Sequence, residues 1–291
     1  MSVEYAVEGR ALVRNRGRFV LGPVDVLLPR GEVMGLVGPN GSGKTTLIKA
    51  ILGLAHPDAG TLGVLGTSPE RARAYVGAAL DAQYLVPEWT VRNACHAVRR
   101  FYPRWDQDYA DALVHQFQLD PAAKVKELSS GEGSKLRIVL ALSSLPELVV
   151  LDEPTSGLDP LAREQVMHTI RSYLADHDGS VLFSTHIPAD LAGIADQLLA
   201  IRQGRVAYAG EMDLLTERYA AVRGSNIDLD AVCDRLIGIR RTATNFDAVI
   251  RADHIGGLPA SMVVEEASID DIVKALAVPI NNGPIDTETA A

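Results

Sequence analysis

Cysteine is nearly absent. Cys95 and Cys233 are the only two in 291 residues, and no C-x-x-C pair occurs. Neither a disulfide framework nor a zinc site is supported, so both are expected to be reduced, packed thiols. Long apolar runs are missing as well. No stretch approaches the ~18 to 20 residues needed to span a bilayer, and the N-terminus shows no signal-peptide pattern. The expectation is a cytosolic chain, unless a partner holds it at a membrane. Positive charge is in deficit: 28 Lys and Arg face 37 Asp and Glu, a formal net charge of -9. That balance argues against non-specific nucleic-acid binding and against docking on anionic lipid. No internal repeat and no long coiled-coil arm is visible. What remains, 47% hydrophobic and 22% charged residues, is ordinary for a globular protein long enough for one large domain or two.

One stretch stands out from this background. Gly38-Pro39-Asn40-Gly41-Ser42-Gly43-Lys44-Thr45 has the spacing G-x-x-x-x-G-K-[ST]. Before it, Val33 to Val37 reads as a buried parallel strand. After it, Leu47, Ile48, Ile51 and Leu52 recur at helical spacing until Gly53, a helix stop. A strand therefore feeds a glycine loop that opens a helix. Glycines let successive N–H groups curl toward phosphate oxygens, and the helix N-terminus adds positive potential. Lys44 is placed to reach the β- and γ-phosphates, and the Thr45 hydroxyl to ligate magnesium. A chance match is expected in roughly one chain of this length in a hundred, and the strand–helix context makes it rarer. The stretch reads as a nucleoside triphosphate site.

From Val3 to Leu28 loose alternation, with Gly17 and Gly22-Pro23 as turn signals, predicts two or three antiparallel strands. Helical signals dominate from about 84 to 144, where Trp89, Phe101, Tyr102 and Trp105 cluster. They fit a docking groove or, more simply, core. Asp106 is the expected cap of a helix with Ala110, Leu113, Val114 and Phe117 on one face. Leu128-Ser129-Ser130-Gly131-Glu132 precedes a long helix through Leu136 and Leu142, a second position for an anion. Leu148 to Leu151 is an apolar strand ending in Asp152 and Glu153. An Asp at such a strand end holds magnesium in phosphate-loop proteins, and a Glu directly after it can polarise an attacking water. Pro154 stops the strand, Ser156-Gly157-Leu158-Asp159 turns, and Val181 to Phe183 runs into Ser184-Thr185-His186. The other six histidines show no ligand spacing.

These motifs, in this order, resemble the nucleotide-binding subunits of ABC transporters, over roughly residues 1 to 215. Leu128 to Glu132 is similar to the family signature LSGGQ, Glu153 to its catalytic carboxylate, Asp159 to its D-loop and His186 to its switch histidine. The resemblance implies an α/β fold: a phosphate-loop ATPase core with a mixed sheet and an antiparallel β subdomain, and an inserted helical subdomain at about 84–144. It implies ATP and magnesium as cofactors. Residues Gly38 through Thr46 would contact the nucleotide, with Thr45 and Asp152 on the metal and Glu153 and His186 in catalysis. Ser129, Gly131 and Asp159 would serve a nucleotide shared between two chains. Because one phosphate loop and one signature are present, a second copy or a paralogous ATPase chain is needed. A separate transmembrane permease is the implied partner, with the subunit peripheral at the inner face of the cell membrane and no nucleic acid involved. The extra residues after 215 look most like ATPases of exporters with separate permease chains.

Three positions depart from the family pattern. Where an aromatic stacks on adenine, this chain has Arg16; guanidinium planes also stack on π faces, and Phe19 lies close. The glutamine expected between core and helical subdomain aligns with Asp81, a carboxylate suited to magnesium, with Gln83 the near alternative. The second signature glycine is Ser130. Residues 216–291 read as a small α+β extension. Short strands are expected at Tyr219–Val222, Leu236–Ile239, Phe246–Ile250 and Met262–Val264. A capping box at Ser268 opens an amphipathic helix over Ile269, Ile272, Val273 and Leu276, followed by a mobile tail from Pro279. The extension is either a dimer-stabilising or regulatory module or a cover for one edge of the core. A non-transport ABC ATPase would carry coiled-coil arms or tandem domains, and a GTPase an Asn-Lys-x-Asp motif; neither occurs.

Overall fold

Five residues without a polar side chain, Val33–Val37, have no face to give to water, and the chain buries all of them. The computed structural model describes residues 4–80 and 85–277. It begins with β1 (Tyr5–Arg16), β2 (Phe19–Pro29) and β3 (Val33–Val37), then α1 (Lys44–Ile51), β4 (Ala59–Val64), α2 (Pro69–Ala72) and β5 (Val76–Ala79). Three helices follow, α3 (Val91–Val98), α4 (Gln107–Gln116) and α5 (Ser130–Leu142). Then come β6 (Leu148–Asp152), α6 (Pro160–Asp176), β7 (Ser180–Thr185), β8 (Gln197–Arg202), β9 (Arg205–Glu211) and α7 (Met212–Arg218). The last part holds β10 (Tyr219–Ser225), β11 (Leu236–Arg241), β12 (Asn245–Arg251), β13 (Val263–Glu266) and α8 (Ile269–Ala277).

The central sheet runs β5-β6-β7-β3-β8-β9. Its pairings are parallel except β8 with β9, which is antiparallel. Period-two alternation sends neighbouring residues to opposite faces. Met34, Leu36, Val150, Leu182 and Leu199 join Leu47, Ile48 and Ile51 of α1 and the inward side chains of the antiparallel sheet β2-β1-β4. Val33, Val37, Val149, Leu151, Val181 and Phe183 face the other way, toward α5, α6 and α8. This is the mixed sheet with an antiparallel β subdomain that the family resemblance implies.

Between β5 and β6 the helices form as their caps dictate. Asp106 accepts from Tyr109 N–H at 2.9 Å, and Ala110, Leu113, Val114 and Phe117 are all buried. The aromatic cluster divides: Trp89 and Trp105 pack against the core, while Phe101 is 75% exposed. The C-terminal strands make a four-stranded antiparallel sheet, β11-β12-β10-β13. Ser268 Oγ accepts from Asp271 N–H at 3.1 Å and so opens α8. One face of this sheet, with Val222, Phe246 and Ile250, covers Leu229 and Val232; Ala221 and Val249 on the other belong to the main core with α8. The expected boundary at 215/216 falls within α7.

Two expectations need correction. Gly22-Pro23 is not a turn between strands but lies inside β2, which pairs with β1 from Phe19 to Pro29. Gly22 N–H donates to Gly204 O, and a Cβ at Gly22 would sit 1.9 Å from Leu12 O, so glycine serves a close backbone approach there. Cys95 is buried as expected, whereas Cys233 is exposed, because Val232 beside it takes the inward position. Asp81, Gln83 and the tail from Pro279 lie outside the described residues.

Candidate functional site

The loop between β3 and α1 is shaped by two glycines. Gly38 has φ of 154°, and a Cβ there would meet Ile201 O of β8 at 2.1 Å. Gly43 caps α1 with φ of 118°, close to the Phe19 ring. Both positions favour glycine for conformational as well as spatial reasons. Beside them opens a cleft of about 600 Å³, within the range of nucleotide-sized ligands. Pro39, Asn40, Gly41, Ser42, Gly43, Lys44, Thr45 and Thr46 line its floor, together with Arg16 and Phe19 from the β1–β2 hairpin and Asp152 and Glu153 from the end of β6. Arg16 thus shares the cleft with the phosphate loop, and so does the only aromatic among those residues, Phe19.

Parallel pairing of β6 with β7 brings Asp152 opposite Ser184 and delivers Glu153 and His186 to the same end of the sheet. Asp152 is 3% exposed. Thr45 Oγ1 donates to its Oδ2 at 3.2 Å, while Oδ1 is buried without a hydrogen-bond partner. Burial raises the pKa of this carboxyl, only partly offset by the Ser184 and Thr45 hydroxyls beside it. Two hard oxygens, one of them unsatisfied and carrying charge, suit a hard divalent cation that takes its other ligands from water and phosphate. Among the described residues no cluster of three or more His, Cys, Asp or Glu forms a self-sufficient metal cage.

Glu153 sits at the centre of the polar contacts. Its backbone is left-handed, φ 54°, and its N–H donates to Ser184 O at 2.9 Å. Its Oε1 lies 3.3 Å from Lys44 Nζ, which also donates to Gly38 O at 2.7 Å. Its Oε2 accepts from the His186 N–H at 3.3 Å and meets His186 Nδ1 at 2.5 Å. Lys44, Glu153 and His186, far apart in sequence, form one polar chain beside the cleft. A carboxylate held this way can accept a proton from water once the lysine turns to a more negative partner.

Ser129, Gly131 and Asp159 do not line that cleft. Ser129 caps α5 in a reciprocal capping box: Glu132 N–H donates to Ser129 Oγ at 3.2 Å and Ser129 N–H to Glu132 Oε2 at 2.8 Å. The Ser129 hydroxyl, donating to Glu132 Oε2 at 2.7 Å, and the Ser129 N–H together hold the Glu132 carboxyl below the usual range. Asp159 caps α6, accepting from Leu161 and Ala162 N–H. The two segments are neighbours: a Cβ on Gly131 would lie 3.4 Å from Leu158, and one on Gly157 4.0 Å from Ser130 Oγ. Together they make an exposed surface on which Leu161 is 74% accessible. Asp190, Thr155 and Arg163, which meet one another, escape sequence reasoning, since an isolated Asp after Ile-Pro-Ala carries no motif.

A family model described as "ABC transporter" matches residues 21–156. The chain is 40% identical over 197 residues to the Nod factor export ATP-binding protein I of Burkholderia orbicola, covering 64% of this chain and 64% of that protein, just under two thirds. The protein of the same name from Burkholderia lata is 38% identical over 210 residues, covering 69% and 68% of the two chains. Among solved structures, the ATP-binding subunit of an ABC transporter superposes with a TM-score of 0.65 at 28% identity, covering 72% of this chain and 91% of that one. With the phosphate loop and the Asp152–Glu153 strand end lining one cleft, His186 bonded to Glu153 beside it, and the Burkholderia lata relative 38% identical and matched over 68% of its own length, the chain belongs to the ABC transporter family as one of its ATP-binding subunits.

Proposed function

We propose that the ATPase activity of this subunit runs on ATP with magnesium held between Thr45 and Asp152, and drives a separate transmembrane permease. One observation carries the reading: the Glu153 carboxylate is gripped by Lys44 on one side and His186 on the other, at the mouth of the cleft. Lys44 releases Glu153 when a triphosphate offers more negative charge, and its ammonium then binds the terminal phosphates. Glu153, so freed, takes the proton of the attacking water, while His186 holds that carboxylate and contacts the γ-phosphate. Thr45 and Asp152 are the residues that would hold the magnesium, which would supply charge neutralisation at the triphosphate. Arg16, with Phe19 beside it, stacks on the base.

The exposed surface built from Ser129, Gly131 and Asp159 lies outside its own cleft, which supports a second ATPase chain, identical or paralogous, whose nucleotide it completes. Among the described residues no helix is long and apolar enough to cross a membrane, so contact with the bilayer runs through the permease, at its cytoplasmic face. Export is the direction suggested by the names of the relatives. Residues 1–215 make the ATPase unit in this reading, with 84–144 inserted, and 216–291 an accessory unit.

Glu153→Gln tests the assignment. The variant should bind ATP as the parent does, turn it over about 100-fold or more slowly, and run as an ATP-dependent dimer on gel filtration. Near-parental hydrolysis would remove Glu153 from the base position.

A further inference from the structure

Two residues beyond Glu153 the chain buries a hydroxyl, and four beyond His186 it buries a carboxylate. Thr155 is 2% exposed and Asp190 4%. The two meet: Thr155 Oγ1 donates to Asp190 Oδ2 at 2.6 Å. Arg163 Nε donates to Asp190 Oδ1 at 2.7 Å, and its Nη2 lies 2.5 Å from the same oxygen. A carboxylate taken this far from water needs both charge and hydrogen-bond partners, and here it has them.

The partners come from three separate segments. Thr155 belongs to the turn after Glu153, Arg163 to the start of α6 just past Asp159, and Asp190 to the 3-10 turn Pro188–Leu191 that follows His186. Glu153 is left-handed at φ 54°, a conformation that a non-glycine residue keeps only where its surroundings over-determine it. Its flanking chain is tied by the Glu153 N–H to Ser184 O and then, two residues on, by Thr155 to Asp190. The 3-10 turn is wedged in its own right. Leu191 is fully buried, and a Cβ on Gly35 of β3 would come within 2.4 Å of its Cδ1; α8 packs against the same turn.

We infer that Asp190 is a positioning residue for hydrolysis: with Thr155 and Arg163 it clasps the His186 segment to the turn after Glu153, fixing the distance at which those two side chains meet. The inference rests on the roles proposed above for Glu153 and His186. A clasp two to four residues from the reacting groups touches no nucleotide, so its loss should lower turnover and leave binding alone. A misplacement of about 1 Å is enough to cost on the order of 100-fold in rate.

The test uses the full chain with Thr155→Val, Thr155→Ser and Asp190→Asn. Thr155→Val removes the hydroxyl at nearly constant volume, and is expected to lower kcat by about 10- to 100-fold with KM and Kd for ATP within about 2-fold. Thr155→Ser restores the bond and should return kcat to within about 3-fold of the parent. Amide exchange at His186, whose N–H is bonded to Glu153, should quicken in Thr155→Val and not in Thr155→Ser. Asp190→Asn keeps an acceptor for Thr155 but drops the charge facing Arg163, and serves should Thr155→Val fold poorly. It should show the same loss of kcat without loss of binding. A lowered melting midpoint with parental kcat in the folded protein would overturn the inference, leaving only a structural bond. If Glu153→Gln also hydrolyses ATP at the parental rate, the reading of the site fails first; if that variant is inactive and Thr155→Val is not, the clasp alone is wrong.

Discussion

Asp152 is held where an ionised carboxylate is costly. It is buried, its pKa is raised chiefly by that burial, and only Oδ2 has a hydrogen bond, from Thr45. Asp152→Asn removes the charge at constant shape. The nucleotide-free variant is therefore expected to melt higher than the parent, by roughly 2–4 °C for each kcal/mol relieved in a chain of this size. It should hydrolyse ATP at least about 100-fold more slowly, the trade of stability against function that active sites make. Scanning fluorimetry beside a phosphate-release assay checks both halves, and a lower melting midpoint would contradict the first. The two thiols give a second contrast. Burial pushes Cys95 up to about 11 from an ordinary 9.0, with the Asp111 charge acting in the same direction. With the folded value raised, the thiol's contribution to stability is complete below pH 9.0 and is lost as pH rises through about 11. At pH 8 an aromatic disulfide reagent should therefore label exposed Cys233 quickly and Cys95 only on unfolding. Mass mapping that finds both labelled at one rate would refute this. Glu153 and His186 are legible in the sequence because each follows a continuous apolar strand that fixes where it ends up. Asp190 is not, because its meaning lies in a hydroxyl 35 residues upstream.

Among the elements, β3, the glycine loop and α1 act as one unit backed by β8. The constraint is steric and comes from the backbone: a methyl group at Gly38 would stand 2.1 Å from Ile201 O, and its φ of 154° already disfavours a side chain. Neither β8, paired on both edges, nor the loop can yield cheaply. Gly38→Ala is expected to weaken ATP binding by about 10-fold or more, as strain of roughly 1–3 kcal/mol is forced into the phosphate contacts. Far-UV circular dichroism should hardly change, because the sheet itself is untouched. Calorimetric titration showing parental affinity would mean that the loop can shift away from β8. This unit is legible in the sequence since a five-residue apolar run, a fixed glycine spacing and a helical stripe adjoin one another. The hairpin before it is less so. Gly22-Pro23 has the local signature of a turn, but the path of β2 is decided by β1 and by Gly204 more than 180 residues away. Local turn chemistry yields there to long-range pairing.

At the scale of the whole molecule the open question is whether 216–291 is an addition to the ATPase or part of its core. Composition and periodicity identify the elements, from β10 through α8, but a single amphipathic helix does not say which surface its apolar face covers. The packing bears on it. Ile272, Val273, Ala275 and Leu276 of α8 are buried in the same cluster as Leu191, Leu198, Leu215 and the strands of the central sheet. Ile272 is fully buried, and α8 touches β8, β9 and α7 as well as the turn that carries Asp190. Fully burying a large aliphatic side chain is worth about 1.5–3 kcal/mol, so four apolar side chains, one of them small, contribute on a scale comparable with the about 5–15 kcal/mol that holds a typical domain folded. Deleting 216–291 should therefore do more than remove a module. Leu191, Leu198 and Leu215 would face water, forming an apolar patch of the kind that drives association. The shortened chain is expected to melt at least about 10 °C lower, or to aggregate, while full-length Ile272→Ala loses about 2–5 kcal/mol in urea unfolding. A truncated protein that stays monodisperse with the parental melting midpoint would show instead that the extension only rests on a core complete without it.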